Sequence, residues 1–116
     1  MSAPASGRPM EITPKDAAAK LREAGTRAVL LDCRTPEEFA TARIEGAVLI
    51  PMQEIERRVG ELEGREDDEI IVHCHHGVRS LRVTAFLRQR GFENTVSMAG
   101  GIDRWSVEVD AGVKRY

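Results

Sequence analysis

Apolar residues collect in short continuous runs, and between the runs they recur at every third or fourth position. Ala28–Asp32 (AVLLD), Ala47–Ile50 (AVLI), Ile70–His73 (IIVH) and Thr95–Met98 (TVSM) are runs of four or five residues. Runs of that length without strict polar alternation predict strands covered on both faces. Met10–Ile12 is a shorter candidate strand.

The segments between the runs carry helical signals. Thr13-Pro14 starts a helix, with Thr13 as N-cap and Pro14 in the first helical position. Leu21 falls on its apolar face and Gly25 ends it. Thr35-Pro36-Glu37-Glu38 starts a second, short helix in which Thr35 and Glu38 form a capping box and Phe39 points inward. Met52, Ile55, Val59 and Leu62 sit at helical spacing over 52–62, with Gly60 weakening the last turn, and Gly64–Glu69 is a polar turn. Arg79–Arg90 is the clearest helix, with Leu81, Val83, Ala85, Phe86 and Leu87 apolar and Gly91 just past its end. Gly100-Gly101 is a turn before a short helix. Trp105 on that helix and Phe86 are expected in the core, and the tail VEVDAGVKRY is expected irregular and packed in part. Strands alternating with helices predict an α/β domain: a mostly parallel central sheet of about five strands with helices on both faces. Sites in such sheets lie beyond the carboxyl ends of the strands, which singles out Asp32–Arg34, Cys74–Arg79 and Met98–Gly101.

The 116 residues suffice for one hydrophobic core and not for two. Residues 1–9 read as a flexible leader and 10–116 as a single domain. With 41% apolar residues, 31% charged and a formal net charge of -2, the chain has no global field drawing it to nucleic acid or an anionic membrane. Cys33 and Cys74 are its only cysteines, too few for a disulfide framework. The start, MSAPASGRPMEI, lacks the basic segment and apolar run of a secretory signal, and no run approaches a membrane span. The expected compartment is the cytoplasm. Thiols stay reduced there, so a cysteine in an unusual setting is more naturally reactive or metal-bound than disulfide-bonded.

One such setting is VHCHHGVRS. Cys74 ends a strand and a helix begins about five residues later, with Gly77 free to take the left-handed conformation a tight loop needs. Successive N–H groups of such a loop form an anion nest, and the helix behind adds its positive end. Those dipoles and Arg79 lower the pKa of a thiol held there, which makes it a nucleophile at neutral pH. Arg79 at a helix N-terminus opposes the macrodipole, which makes sense if an anion visits. Ser80 can help cap the helix start or serve as a plain helix residue.

Other chemistries stay open at this point. His73, Cys74, His75 and His76 are ligand types, but they are contiguous, whereas structural zinc sites pair ligands from separated segments. No metal or other cofactor is expected. Cysteine phosphatases and arsenate reductases use a similar strand, Cys loop and Arg. Their loop carries one residue more than the four between Cys74 and Arg79, and a smaller ring of N–H groups suits a single terminal sulfur better than a tetrahedral oxyanion. A buried cysteine acting as a small apolar residue is the plain alternative.

Four segments in order resemble the single-domain rhodaneses, the rhodanese-homology sulfurtransferases. LDCRTPEEF resembles the family's strand, Asp-x-Arg and helix; ARIEGAVLIP its G-H-I-x-G-A-x-N-I-P stretch; VHCHHGVRS its Cys-x-x-Gly-x-Arg loop; and MAGGIDRW its Gly-Gly stretch before the last helix. The resemblance covers about residues 10–110. It implies a ping-pong sulfurtransferase in which Cys74 takes sulfur from a donor such as thiosulfate as a persulfide, and a thiophilic acceptor (cyanide or a thiol) removes it. The N–H groups from His75 to Arg79, through His76, Gly77 and Val78, would hold the negative sulfur. Arg79 and Arg34 would attract the anionic donor, while Asp32 and Ser80 support the loop. The implied partners are a small anionic sulfur donor and a thiol or sulfur-acceptor protein. A persulfide relay and a non-catalytic interaction module are the rival roles.

Departures from the family pattern carry their own expectations. Arg43 replaces the usual His and is expected on the surface. Cys33, between Asp32 and Arg34, is expected to pack in the core, the alternative being to resolve an oxidised Cys74. His75 and His76 are expected at the rim, and His73 as a hydrogen-bonded structural histidine.

Overall fold

The computed structural model describes residues 8–116, so positions 1–7 of the expected leader lie outside the described residues. The last two leader positions are held rather than free. The Arg8 guanidinium donates to Glu69 and Asn94, and Arg88 donates to the carbonyls of Arg8 and Pro9.

The chain runs β1 (Glu11–Ile12), α1 (Pro14–Arg22), β2 (Val29–Asp32), α2 (Pro36–Thr41), β3 (Val48–Leu49), α3 (Ile55–Arg58), β4 (Ile70–His73), α4 (Val78–Gln89), β5 (Thr95–Met98) and α5 (Gly101–Glu108). The five strands form one sheet in the order β1-β5-β4-β2-β3, every pairing parallel. The α/β architecture read from the pattern is therefore the observed one. β4 and β5 are buried at all four positions, which is why their sequences do not alternate.

Successive residues of β4 point to opposite faces and seed two cores. Ile70 and Val72 join Leu31, Ile55, Leu62, Val83 and Leu87 under α3 and α4. Ile71 joins Leu30, Ala17, Ala18, Val96, Ile102 and Trp105 under α1 and α5. Cys33 and Cys74 belong to the first cluster, so Cys33 packs in the core as expected.

Several local expectations change. The run Ala47–Ile50 pairs only over Val48–Leu49, because β3 is an edge strand with one neighbour; Val48 is half-exposed. The helix expected over 52–62 is α3 flanked by 3-10 turns, Met52–Glu54 and Val59–Leu62, with Gly60 in the second. α4 starts one residue early and buries Ser80, Val83, Thr84 and Leu87. Ala85 faces solvent, and Phe86 lies at the core's margin under the Arg90 guanidinium. α2 buries no residue, and its Phe39, expected inward, is half-exposed beneath the exposed Arg43.

Candidate active site

The carboxyl ends of β2, β4 and β5 deliver Cys33-Arg34, Cys74–Gly77 and Ala99–Gly101 to one edge of the sheet. Cys74 is 1% exposed. Its Sγ accepts the N–H of Gly77 at 3.1 Å and of Ser80 at 3.4 Å, and lies 3.4 Å from Ser80 Oγ. Ser80 Oγ is in turn 2.7 Å from Ser97 Oγ on β5, so a second hydroxyl supports the first. The backbone turns through Gly77 with φ +110°, and a Cβ there would crowd the Gly100 nitrogen. No acidic residue in the first turn of α4 cancels the helix's positive end.

These groups pull the Cys74 pKa down to about 4. The neighbouring Cys33 thiol is the largest influence, the Ser80 hydroxyl and the Ser80 and Gly77 N–H groups add to it, and burial opposes them. Cys33 moves the other way: proton sharing with Cys74 and burial push its thiol far up. One negative charge therefore resides on the pair, and it sits on Cys74.

The Cys74 Sγ itself takes its N–H groups from Gly77 and Ser80. Ser80, expected only to support the loop, touches the sulfur. Val78, first residue of α4, is 65% exposed.

The Gly-Gly turn holds the loop from below. Ile102 N–H donates to Cys74 O at 2.9 Å and Asp103 N–H to His75 O at 3.2 Å. Gly101, at φ +61°, lies so close that a Cβ would overlap both carbonyl oxygens. Gly101→Ala is therefore expected to displace the Cys74 loop and to cost at least about 1–2 kcal/mol from the left-handed backbone alone. Thermal melting together with sulfur-transfer rate checks this; unchanged values for both would contradict the packing argument.

Arg79 does not wait unpaired for an anion. Its guanidinium forks onto Glu38 at 2.6 and 2.9 Å. Arg79 first, then the Tyr116 hydroxyl and the Thr35 N–H, hold the Glu38 carboxyl well below the usual carboxylate range against the opposing cost of burial. Glu38, read in the sequence only as half of a capping box, thus also ties α2 to α4.

Arg34 does not take the donor-attracting place expected of it. It is fully buried, with Nε and Nη2 on the Asp32 carboxylate and Nη2 also on Ala42 O at 2.6 Å. A guanidinium enclosed beside a carboxylate at i−2 satisfies that charge and cannot reach solvent. The Asp32 carboxylate also accepts the Arg34 N–H at 3.0 Å. His73 is buried, meets Cys74 O through Nδ1 at 3.3 Å, and is kept neutral by burial.

His75 is half-exposed and sandwiched between the His76 and Tyr116 rings, each at 3.9 Å. His76 is exposed. His75, His76 and Asp103 bring one potential metal ligand each within 4.8 Å. Arg115 already holds both Asp103 oxygens, and His75 Nε2 meets Tyr116 O at 3.0 Å.

Tyr116, Glu38 and Ser97 are the site residues that sequence reasoning missed. Tyr116 accepts from Arg34 and donates to Glu38, both at 2.8 Å. A lone tyrosine in an irregular tail gives no signal of this; the hydroxyl within a buried apolar run is the faint one for Ser97.

Residues 13–108 match the sequence family described as Rhodanese-like domain. The thiosulfate sulfurtransferase GlpE of Actinobacillus succinogenes is 35% identical over 111 residues, covering 90% of this chain and 95% of that protein. The putative sulfur carrier protein YrkF of Bacillus subtilis is 38% identical over 77 residues; the match takes in 66% of this chain and only 40% of YrkF. The structure of the human single-domain sulfurtransferase TSTD1 superposes with a TM-score of 0.77 at 26% identity, covering 87% of this chain and 98% of that one.

Proposed function

The chain belongs to the rhodanese-like domain family, and on that premise we propose that it moves a sulfane sulfur from a small anionic donor such as thiosulfate to cyanide or a thiol, through a persulfide on Cys74. It is a sulfurtransferase. The observation that carries the Cys74 assignment is a buried sulfur receiving two backbone N–H groups at the positive end of α4.

The Cys74 thiolate attacks the outer sulfur of thiosulfate. A new S–S bond forms, the donor's S–S bond breaks, and sulfite leaves with the electron pair. The loop N–H groups then stabilise the negative outer sulfur as an oxyanion hole stabilises oxygen. In the second half, a thiophilic acceptor attacks that outer sulfur and Cys74 departs as thiolate. Arg79, although paired with Glu38, also feels the Cys74 sulfur and offsets part of its charge.

Intact mass measurement after incubation with thiosulfate tests this. The expected result is a gain of one sulfur atom that cyanide removes. No gain from thiosulfate overturns the donor assignment, and gain only from a persulfidated donor protein would favour the relay. Turnover of an aryl phosphate or of arsenate would overturn the loop-size argument.

The depressed Cys74 pKa sets the pH profile. The thiolate is the reacting form, so lowering its pKa moves the loss of activity to acid. The rate of sulfur uptake is expected to stay level across neutral pH and to fall only as pH approaches about 4. A rate that instead climbs through about pH 8.5, as for an unperturbed thiol, would contradict it.

A further inference from the structure

The sulfur transfer above uses one cysteine, and the second lies beside it. β2 and β4 pair in parallel with Leu31 opposite Val72 and Asp32 opposite His73. The next step of that register sets Cys33 opposite Cys74. The ladder does continue, since the Cys33 N–H donates to His73 O at 3.1 Å. Residues paired across a ladder share a face, and both cysteines belong to the same core cluster, each 1% exposed with its thiol free. Neighbouring strands lie about 4.8 Å apart, inside the roughly 4.4–6.8 Å Cα separation that a disulfide spans.

We propose that Cys33 is a resolving thiol for the Cys74 persulfide: it attacks the inner sulfur, forms a Cys33–Cys74 disulfide and expels the outer sulfur as hydrosulfide. This rests on the sulfurtransferase reading of Cys74. The persulfide S–S bond breaks and its electron pair leaves with the outer sulfur, which ends with the proton given up by Cys33. The two cysteine sulfurs are oxidised to the disulfide and the sulfane sulfur is reduced to sulfide, so no outside oxidant enters. A dithiol reductant restores both thiols.

The charge distribution favours this step only after loading. While Cys74 is a thiolate, its hydrogen bond with Cys33, burial and its charge together keep Cys33 protonated. In the persulfide that charge moves outward to the terminal sulfur, while the Gly77 and Ser80 N–H groups stay on the inner one. The inner sulfur is then neutral and electrophilic, with Cys33 on the sheet side of it. Being sealed in the core, Cys33 serves no external substrate. It competes only with the acceptor, so the domain releases sulfide when no acceptor arrives.

The test loads wild type and Cys33→Val with thiosulfate or inorganic polysulfide, removes the excess, and withholds acceptor. Wild type is expected to end two hydrogen atoms lighter than the reduced chain by non-reducing intact mass. It should release about one equivalent of sulfide per chain, the equivalence set by the step itself, and dithiothreitol should restore its thiols. Cys33→Val is expected to keep the added sulfur and release none, and Cys33→Ala repeats the measurement should valine disturb the packing. Wild type that keeps the added sulfur while Cys33→Val also loads would overturn the resolving role alone, as would equal sulfide release from both. Failure of every variant and of wild type to take up or release any sulfur would overturn the sulfurtransferase reading, and this inference with it.

Discussion

Cys74→Ser is expected to lower sulfur transfer by more than about 10⁴-fold, the order of loss that follows removal of a covalent nucleophile. The serine oxygen can still accept the Gly77 and Ser80 N–H groups that now hold Sγ, so the loop keeps its partners. What is lost is ionisation and sulfur affinity. Two N–H groups and a helix end bring a thiol to its thiolate near neutral pH but leave an alkyl hydroxyl protonated. Sulfite release from thiosulfate measures the effect, with circular dichroism showing that the fold persists. Activity within about tenfold of wild type would remove Cys74 from the nucleophile's role and leave Cys33 as the only other thiol.

Asp32→Ala is expected to lower stability by about 3–5 kcal/mol, the penalty for leaving one partner of a buried ion pair alone. Asp32 and Arg34 are both fully buried, and the carboxylate receives Arg34 Nε at 2.9 Å and Nη2 at 2.7 Å as well as the Arg34 N–H. With the carboxylate gone, the guanidinium keeps Ala42 O, Glu38 O and the Tyr116 hydroxyl but has no buried counter-charge. The melting temperature should fall by more than about 10 °C. Replacing both residues with apolar ones, as in Asp32→Leu with Arg34→Met, should cost less than Asp32→Ala alone, because no charge is then left stranded. If the double variant melts lower still, the pair's hydrogen bonds rather than its uncompensated charge dominate.

Local chemistry was legible in the residues themselves. The capping box at Thr35 and Glu38 forms with both of its hydrogen bonds, because a cap involves groups three residues apart and little else. Cys74, Gly77 and the start of α4 are likewise a strand-end pattern whose geometry is set within six residues. The buried runs became the strands, and their parallel order followed from the helices between them. Where the apolar pattern misled, tertiary neighbours decided. Ala85 and Phe86 are apolar but sit off the inner face of α4, and Ser80 and Thr84 occupy it instead; the Ser80 hydroxyl is held by Gly77 O and Ser97 Oγ.

Periodicity, caps and turn glycines act over a few residues, so the chain alone spells out an α/β domain of parallel strands and a cysteine on a tight loop. What surrounds that cysteine is set by long-range packing. Arg79 meets Glu38 across 41 positions and Arg34 meets Tyr116 across 82. Cys33 lies beside Cys74 because β2 and β4 are neighbours in the observed register. Apolar alternation says which face a residue takes, but not which strand it will face. Three cations and carboxylates that look free along the chain are therefore partners once it is folded, and the second cysteine becomes a neighbour of the first.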